Sequence, residues 1–356
     1  MDGKASQRSG LTRGVTLGLV AAALFGASAP LSKLLLPGTG PVALAALLYL
    51  GAGLGLSLLA GARRAEAAGR EASLRREDLP TLLAIAGTGG VLGPVLMLVG
   101  LERLPALTSA LLLNLEAPLT MVLAVALFGE HLGRRELGGA FLIVAGAAVL
   151  SRQPGQLEGD WLGALAITAA CLCWAVDNNL TQRLSTRDPF ALVRFKTLVA
   201  GSFSLALACM LGQPFAGLSG ICAALMVGSL SYGLSIVLDT YALRILGAAR
   251  EAAIFATAPF MGAMLSILLL GEHPSWADGA GATAIVLGLV ACLRARHVHV
   301  HTHDPLLHDH LHEHDEHHRH QHEGVVNEPH SHPHRHDSVT HGHEHLSDIH
   351  HRHSHG

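Results

Sequence analysis

Glu116 is an acid in the middle of an apolar run, Pro105–Phe128. At ~1.5 Å of rise per helical residue it would lie ~16 Å into the run, near the midplane of ~30 Å of hydrocarbon. A charge there costs at least ~2.5–3.5 kcal/mol on insertion scales, so the group must face the protein interior or a wet cavity, or hold a proton. Two readings stay open: a carboxylate that binds a proton or substrate, or a neutral interior Glu hydrogen-bonded to Asn114 or to another helix. Asp177-Asn178-Asn179 is a second polar cluster, with Trp174 and Thr181 on the face of Asn178 at i−4 and i+3. Three consecutive polar residues do not all face lipid; they line a cavity or mark a wet helix end. Ser231, Ser235 and Asp239 follow at i, i+4 and i+8, one helical stripe flanked by Tyr232 and Tyr241. Such a stripe lines a cavity or serves interhelical hydrogen bonding. Arg194 and Lys196 could bind an anion, but snorkelling to the interface is the simpler reading, as it is for Lys33.

The C-terminal stretch offers different chemistry. His297, His299, His301 and His303 open it, followed by His308, His310, His312, His314, His317, His318, His320 and His322 among Asp309, Glu313, Asp315 and Glu316. His330, His332, His334 and His336 form a second cluster; His341, His343 and His345 lead a third. Neutral imidazoles with nearby carboxylates suit zinc, nickel, cobalt or copper. The rival roles are pH sensing near pH 6.5 and a solubilising tail. With few apolar residues the segment is expected to lack order without metal. No histidine lies within an apolar run, which disfavours a soft metal as a bare cargo and still allows a metal chelate or metal-gated transport.

These residues need elements to hold them. The 356-residue chain is 50% hydrophobic and 14% charged, an average over two unlike parts that meet near residue 294. The net charge of −3 describes neither part. Ten spans are expected, all α-helical: about 14–36, 41–60, 79–100, 105–128, 136–150, 161–184, 190–211, 217–243, 247–270 and 277–293. The first reads as a retained span rather than a cleaved leader. The five cysteines (Cys171, Cys173, Cys209, Cys222, Cys292) sit in apolar runs and form no secreted disulfide framework. Cys171 and Cys173 read as small packing residues.

Leu104–Leu150 returns at Leu246–Cys292. Ala117-Pro118 aligns with Ala258-Pro259 at an offset of 259 − 118 = 141, and Gly129-Glu130-His131 with Gly271-Glu272-His273 at 272 − 130 = 142. Weaker matches (Pro41 and Gly53 with Pro189 and Gly201) extend the duplication to a five-helix unit. Five crossings per unit invert the second copy relative to the first. Thr257 stands where the first copy has Glu116, so the carboxylate is no part of the shared scaffold. Pro118 and Pro259 are expected to kink spans 4 and 9, freeing a backbone carbonyl or serving packing. Glu130 and Glu272 are expected to cap the helices that follow them. Arginine and lysine concentrate in alternate loops, which places both termini in the cytoplasm.

The paired hairpins, APLTMVLAVALFGEHL with GGAFLIVAG and APFMGAMLSILLLGEH with GAGATAIVLG, resemble the EamA-like family of the drug/metabolite transporter superfamily over about residues 14–293. The resemblance implies a ten-helix permease of two inverted repeats, 14–151 and 161–293, joined by a linker, 152–160. A cytoplasmic N-terminal tail (1–13) and the added His-rich tail (294–356) flank them. The expected function is secondary transport of a small metabolite across the bacterial inner membrane, coupled to protons through Glu116, with Asp177 and Asp239 as further candidates. Transport of a divalent metal or its complex is the alternative, and a membrane-tethered metal sensor an alternative of another class. Expected partners are a small-molecule substrate, membrane lipid and protons, with no nucleic acid; a homodimer is compatible with this reading. The core requires no cofactor, and no nucleophile–base pair or phosphate loop suggests an enzyme.

Overall fold

The computed structural model describes residues 2–67, 72–128, 133–151, 161–184, 187–246, 248–293, 297–303, 306–312, 330–336 and 339–345. Up to Leu293 its elements are helical. Among the described residues eight helices are long and apolar enough to cross a membrane, matching expected spans 1–4, 6–8 and 10. Span 5 is the 17-residue helix Arg134–Leu150, and span 9 is divided into Ala248–Phe255 and Ala258–Leu270.

Close packing depends on residues without side chains. A Cβ on Gly139 would lie 2.6 Å from the carbonyl oxygen of Gly288, and one on Gly146 would lie 2.7 Å from that of Gly281. Gly139 and Gly281 are repeat equivalents (281 − 139 = 142), as are Gly146 and Gly288 (288 − 146 = 142). Gly139 therefore meets the equivalent of Gly146, and Gly146 meets the equivalent of Gly139, the reciprocity that a two-fold relation produces. Spans 2 and 7 repeat the pattern. A Cβ on Gly53 would stand 3.1 Å from the Leu198 amide nitrogen, and one on Gly201 would stand 2.7 Å from that of Leu50. In both pairs one residue number rises as the other falls, so equivalent helices cross antiparallel.

The helices are interrupted at matched depths. Span 3 contains a π-helical turn, Ala86–Leu92, and span 8 another, Gly228–Leu234, at an offset of 228 − 86 = 142. Span 4 runs Ala106–Leu112, tightens to a 3-10 turn at Leu113–Leu115, and restarts at Glu116–Phe128. Pro118 and Pro259 lie in the first turn of the restarted helices, where a missing N–H costs little. They begin second halves of spans rather than bend continuous ones. Span 1 also changes helix at Ala27, three residues before helical Pro30.

In the histidine tail, His297–His303 pairs antiparallel with Val339–His345, and Leu306–His312 with His330–His336. The His-x-His alternation has the period of a strand, and Val298, Val300 and Thr302 add β-branched residues. The rest of the tail, with His314, His317, His318, His320 and His322, lies outside the described residues, as do Glu130 and His131.

The glycine contacts give a direct test. Gly288→Leu forces a side chain onto the Gly139 carbonyl and is expected to destabilise by about 1–3 kcal/mol, read as a lowered Tm in detergent. Gly279→Ala on the same helix, where an added Cβ meets nothing within 4 Å, is expected to leave Tm unchanged.

Candidate functional site

Glu116 opens the second half of span 4, directly after the 3-10 break. Its carboxylate accepts a 2.7 Å hydrogen bond from the Asn178 amide on span 6. Glu116 is half-buried and Asn178 is exposed. Asn114, expected as a partner, instead donates to the Leu111 carbonyl at 2.9 Å. The thiol of Cys171 faces the Leu112 and Leu113 carbonyls at 3.8 and 3.7 Å. Both side chains thus serve the carbonyls that the break releases.

The Asp177-Asn178-Asn179 cluster divides three ways. Asp177 is buried and forms an ion pair with Lys196 of span 7. Asn178 holds Glu116. Asn179 is buried and donates to the carbonyls of Thr120, at 3.2 Å, and Ala175, at 2.8 Å. The snorkelling expected of Lys196 does not occur: an acid buried beside it offers its ammonium a stronger partner than the interface does. The other Asp177 oxygen, Oδ1, is buried without a hydrogen-bond partner.

The π-turn of span 3 closes this cluster. The Gly89 carbonyl accepts from the Tyr49 hydroxyl at 2.8 Å and from the Trp174 indole at 3.0 Å. A Cβ on Gly89 would lie 2.3 Å from the Asp177 carboxyl, so only glycine leaves room for it. From Tyr49 an aromatic series continues across both halves. Tyr49 meets Tyr232 at 5.6 Å between ring centroids, Tyr232 meets Phe25 at 5.8 Å, and Phe25 meets Phe255 at 5.2 Å. Acids, amide, ammonium and aromatic rings from spans 1, 2, 4, 6, 7, 8 and 9 are thereby linked, with the Gly89 carbonyl of span 3 joining Tyr49 to Trp174.

The polar stripe of span 8 divides too. Ser231 lies in the π-turn, and Ser235 donates back to the Ser231 carbonyl at 2.6 Å, so both are buried and engaged within their own helix. Asp239 has a second acid, Glu251 of span 9, beside it, and its Oδ1 is buried without a hydrogen-bond partner. The sequence reading passed over Glu251, although an acid one residue beyond Arg250 inside an apolar run was its signal.

Two further expectations are corrected. Lys33 does not snorkel outward; it donates to the Leu101, Glu102 and Leu104 carbonyls at the end of span 3. Four carbonyls lack helical partners at such an end, and a lysine satisfies them well. Glu272 does not cap its following helix. Its two oxygens accept from the Ala106 and Leu107 amides, both at 2.7 Å, at the start of span 4. Span 10 is capped by Ser275 with Asp278 instead, through a 2.8 Å bond from the Ser275 amide. At the register positions of the tail strands, His299 stands opposite His343, His301 opposite His341, His308 opposite His334 and His310 opposite His332.

The comparisons with known proteins agree with this arrangement. A family described as the EamA-like transporter family matches twice, over residues 12–152 and 161–294. An uncharacterized transporter of Methanothermobacter thermautotrophicus is 29% identical over 293 residues, covering 76% of this chain and 83% of the relative. A probable terminal-alkyne amino-acid exporter of Streptantibioticus cattleyicolor is 26% identical over 203 residues, 56% of this chain and 68% of the relative. One solved crystal structure covers 79% of this chain and 96% of its own, with TM-score 0.56 and 21% identity, a likeness of fold.

The ion pair can be tested by a cycle. Lys196→Met leaves Asp177 buried without its counter-charge and is expected to cost about 3–5 kcal/mol, a large fall in Tm. Adding Asp177→Asn removes the stranded charge and is expected to restore most of that loss.

Proposed function

This chain belongs to the EamA-like transporter family, and we propose that it is a proton-coupled secondary transporter of a small organic metabolite, with Glu116 as the coupling carboxylate. One observation carries the reading: an acid at the restart of a broken span, held by a single amide, beside an Asp–Lys pair and an array of aromatic rings. Discontinuous helices near the midplane are where secondary transporters bind substrates and coupling ions. An acid with one neutral donor can take up or release a proton without stranding a buried partner charge. Asp177 is committed to Lys196 and serves as a fixed element of the site. The Asp239–Glu251 pair is a second place where a proton can reside.

The transporter has ten crossings in two inverted five-helix units. The reciprocal glycine contacts support this, because antiparallel crossing of equivalent helices is what an axis in the membrane plane requires. The excess of arginine and lysine on alternate loops supports cytoplasmic termini and, in a bacterial cell, insertion in the inner membrane. The cargo is organic rather than a bare soft metal ion: the acids at the break are partnered by an amide and an ammonium, donors suited to oxygen and nitrogen groups. The relative named as an amino-acid exporter makes amino acids the first probes.

A second reading concerns the tail. Registers that place histidine opposite histidine on paired strands support binding of zinc, nickel, cobalt or copper, as a sensor or buffer beside the transport core.

Reconstituted vesicles test both readings with a labelled amino-acid mixture and, separately, nickel and zinc measured by elemental analysis. Glu116→Gln is expected to abolish uphill movement driven by a proton gradient, at least about tenfold, while keeping downhill exchange. Uphill movement unchanged by Glu116→Gln would overturn the role of Glu116. Metal flux through a chain ending at Arg296 would replace the organic cargo with a metal.

A further inference from the structure

The two ends of the molecule are closed by contacts of different kinds, and each joins the first half to the second. At the end carrying the junctions between spans 1 and 2, 3 and 4, and 9 and 10, Glu272 binds the first two amides of span 4. Nearby, the Gln213 carbonyl oxygen accepts from the Val42 and Ala43 amides of span 2, at 2.9 and 3.1 Å. At the opposite end Arg187 holds Asp78 in a two-point contact, 2.9 Å from Nε to Oδ2 and 3.2 Å from Nη2 to Oδ1, and reaches Glu77 at 3.4 Å. Beside it the Asp188 amide donates to the Ala72 carbonyl at 2.8 Å.

We infer that Glu272 and Arg187 are the two latches of an alternating gate, each holding one face shut by tying a second-half loop to a first-half helix start. The inference rests on the transporter reading and adds which contacts must break. A carrier that exposes its site to each side in turn must release inter-half contacts at one face while keeping those at the other. Contacts within one half move with it and gate nothing. Lys33 with the end of span 3 is of that kind, since both partners belong to the first half.

Both latches are built to be reversible. When Glu272 lets go, it leaves two amide donors at a helix start, which water at a membrane face can satisfy. When Arg187 lets go, Asp78 still accepts the Arg75 amide at 2.8 Å. Asp78 is buried while this latch is closed, but it sits at the start of span 3, at a membrane face, where water can take the place of the guanidinium. The Asp177–Lys196 pair differs: both residues belong to the second half, so the pair moves with it and stays closed while the faces open.

Accessibility of buried reporter cysteines to a membrane-impermeant maleimide tests the inference in vesicles of either orientation. Labelling is read at the reporter peptide by mass spectrometry, so the native cysteines stay in place. Ser109→Cys, one turn inside span 4 and buried, reports the Glu272 face; Thr197→Cys, also buried, reports the Arg187 face. Glu272→Ala removes two charge-assisted hydrogen bonds and is expected to raise Ser109→Cys labelling on the order of tenfold, with Thr197→Cys unchanged or slower. Glu272→Gln keeps one acceptor oxygen and is expected to fall between. Arg187→Ala is expected to do the reverse. Unchanged labelling at the matching reporter, or an equal rise at both, would overturn the latches. The measurement needs no cargo, so responsive reporters in a chain that carries nothing would retain the latches and remove the transport reading.

Discussion

A helix interrupted in hydrocarbon releases backbone groups that lipid has no means to satisfy. Much of this molecule is arranged around that constraint. The break in span 4 is served by Asn114 and Cys171, and that in span 9 by the Thr257 hydroxyl, which donates to Ile254 at 2.6 Å. The π-turn of span 3 gives its Gly89 carbonyl to Tyr49 and Trp174. Each interruption is therefore served by polar side chains, Asn114 and Thr257 from the same span and Cys171, Tyr49 and Trp174 from neighbouring ones. The polar groups of the core therefore cluster where the helices are interrupted, with Glu116 and the Asp177–Lys196 pair beside the side chains that serve the backbone.

Duplication supplies the scaffold, and divergence supplies the function. The offsets of 141 to 142 residues recur in the proline motifs, the Gly-Glu pairs, the π-turns and the glycine crossings. Features held at equivalent positions bear on backbone: turns, restarts and close approach. Features that differ bear on chemistry. Glu116 faces Thr257 across the repeat, and Gly89 faces Ser231, so the carboxylate and the carbonyl with two aromatic donors belong to one half only. A symmetric pair of units can tilt equally toward either side; an acid present in one unit and replaced by Thr257 in the other makes the two halves chemically different.

The sequence made the long apolar helices and the repeat legible, because each rests on local composition or self-similarity. It did not show who meets whom. Asp177 and Lys196 are 19 positions apart on consecutive spans, and only the crossing of those spans decides whether the lysine reaches an acid or the interface. Glu251 went unseen for the same reason: its importance comes from Asp239 on the neighbouring helix. The π-turns leave no periodicity signal, since a seven-residue Gly-rich stretch reads equally well as ordinary helix. In the tail the alternation of histidines was visible as composition and overlooked as a strand period.

Glu272 shows how a motif can be placed correctly and assigned wrongly. A Gly-Glu pair before an apolar run has the form of a local cap, and electrostatics favours an acid at any helix start. Two helix starts lie within reach at this end of the molecule, however, and Ser275 with Asp278 already serves the local one. The Glu272 carboxylate is thereby left for the start of span 4, which has Pro105 before it and no side-chain cap of its own. A capping interaction that would have been local in one helix becomes a tie between the halves. The same free energy that steadies a helix end then sets how readily that face of the protein opens.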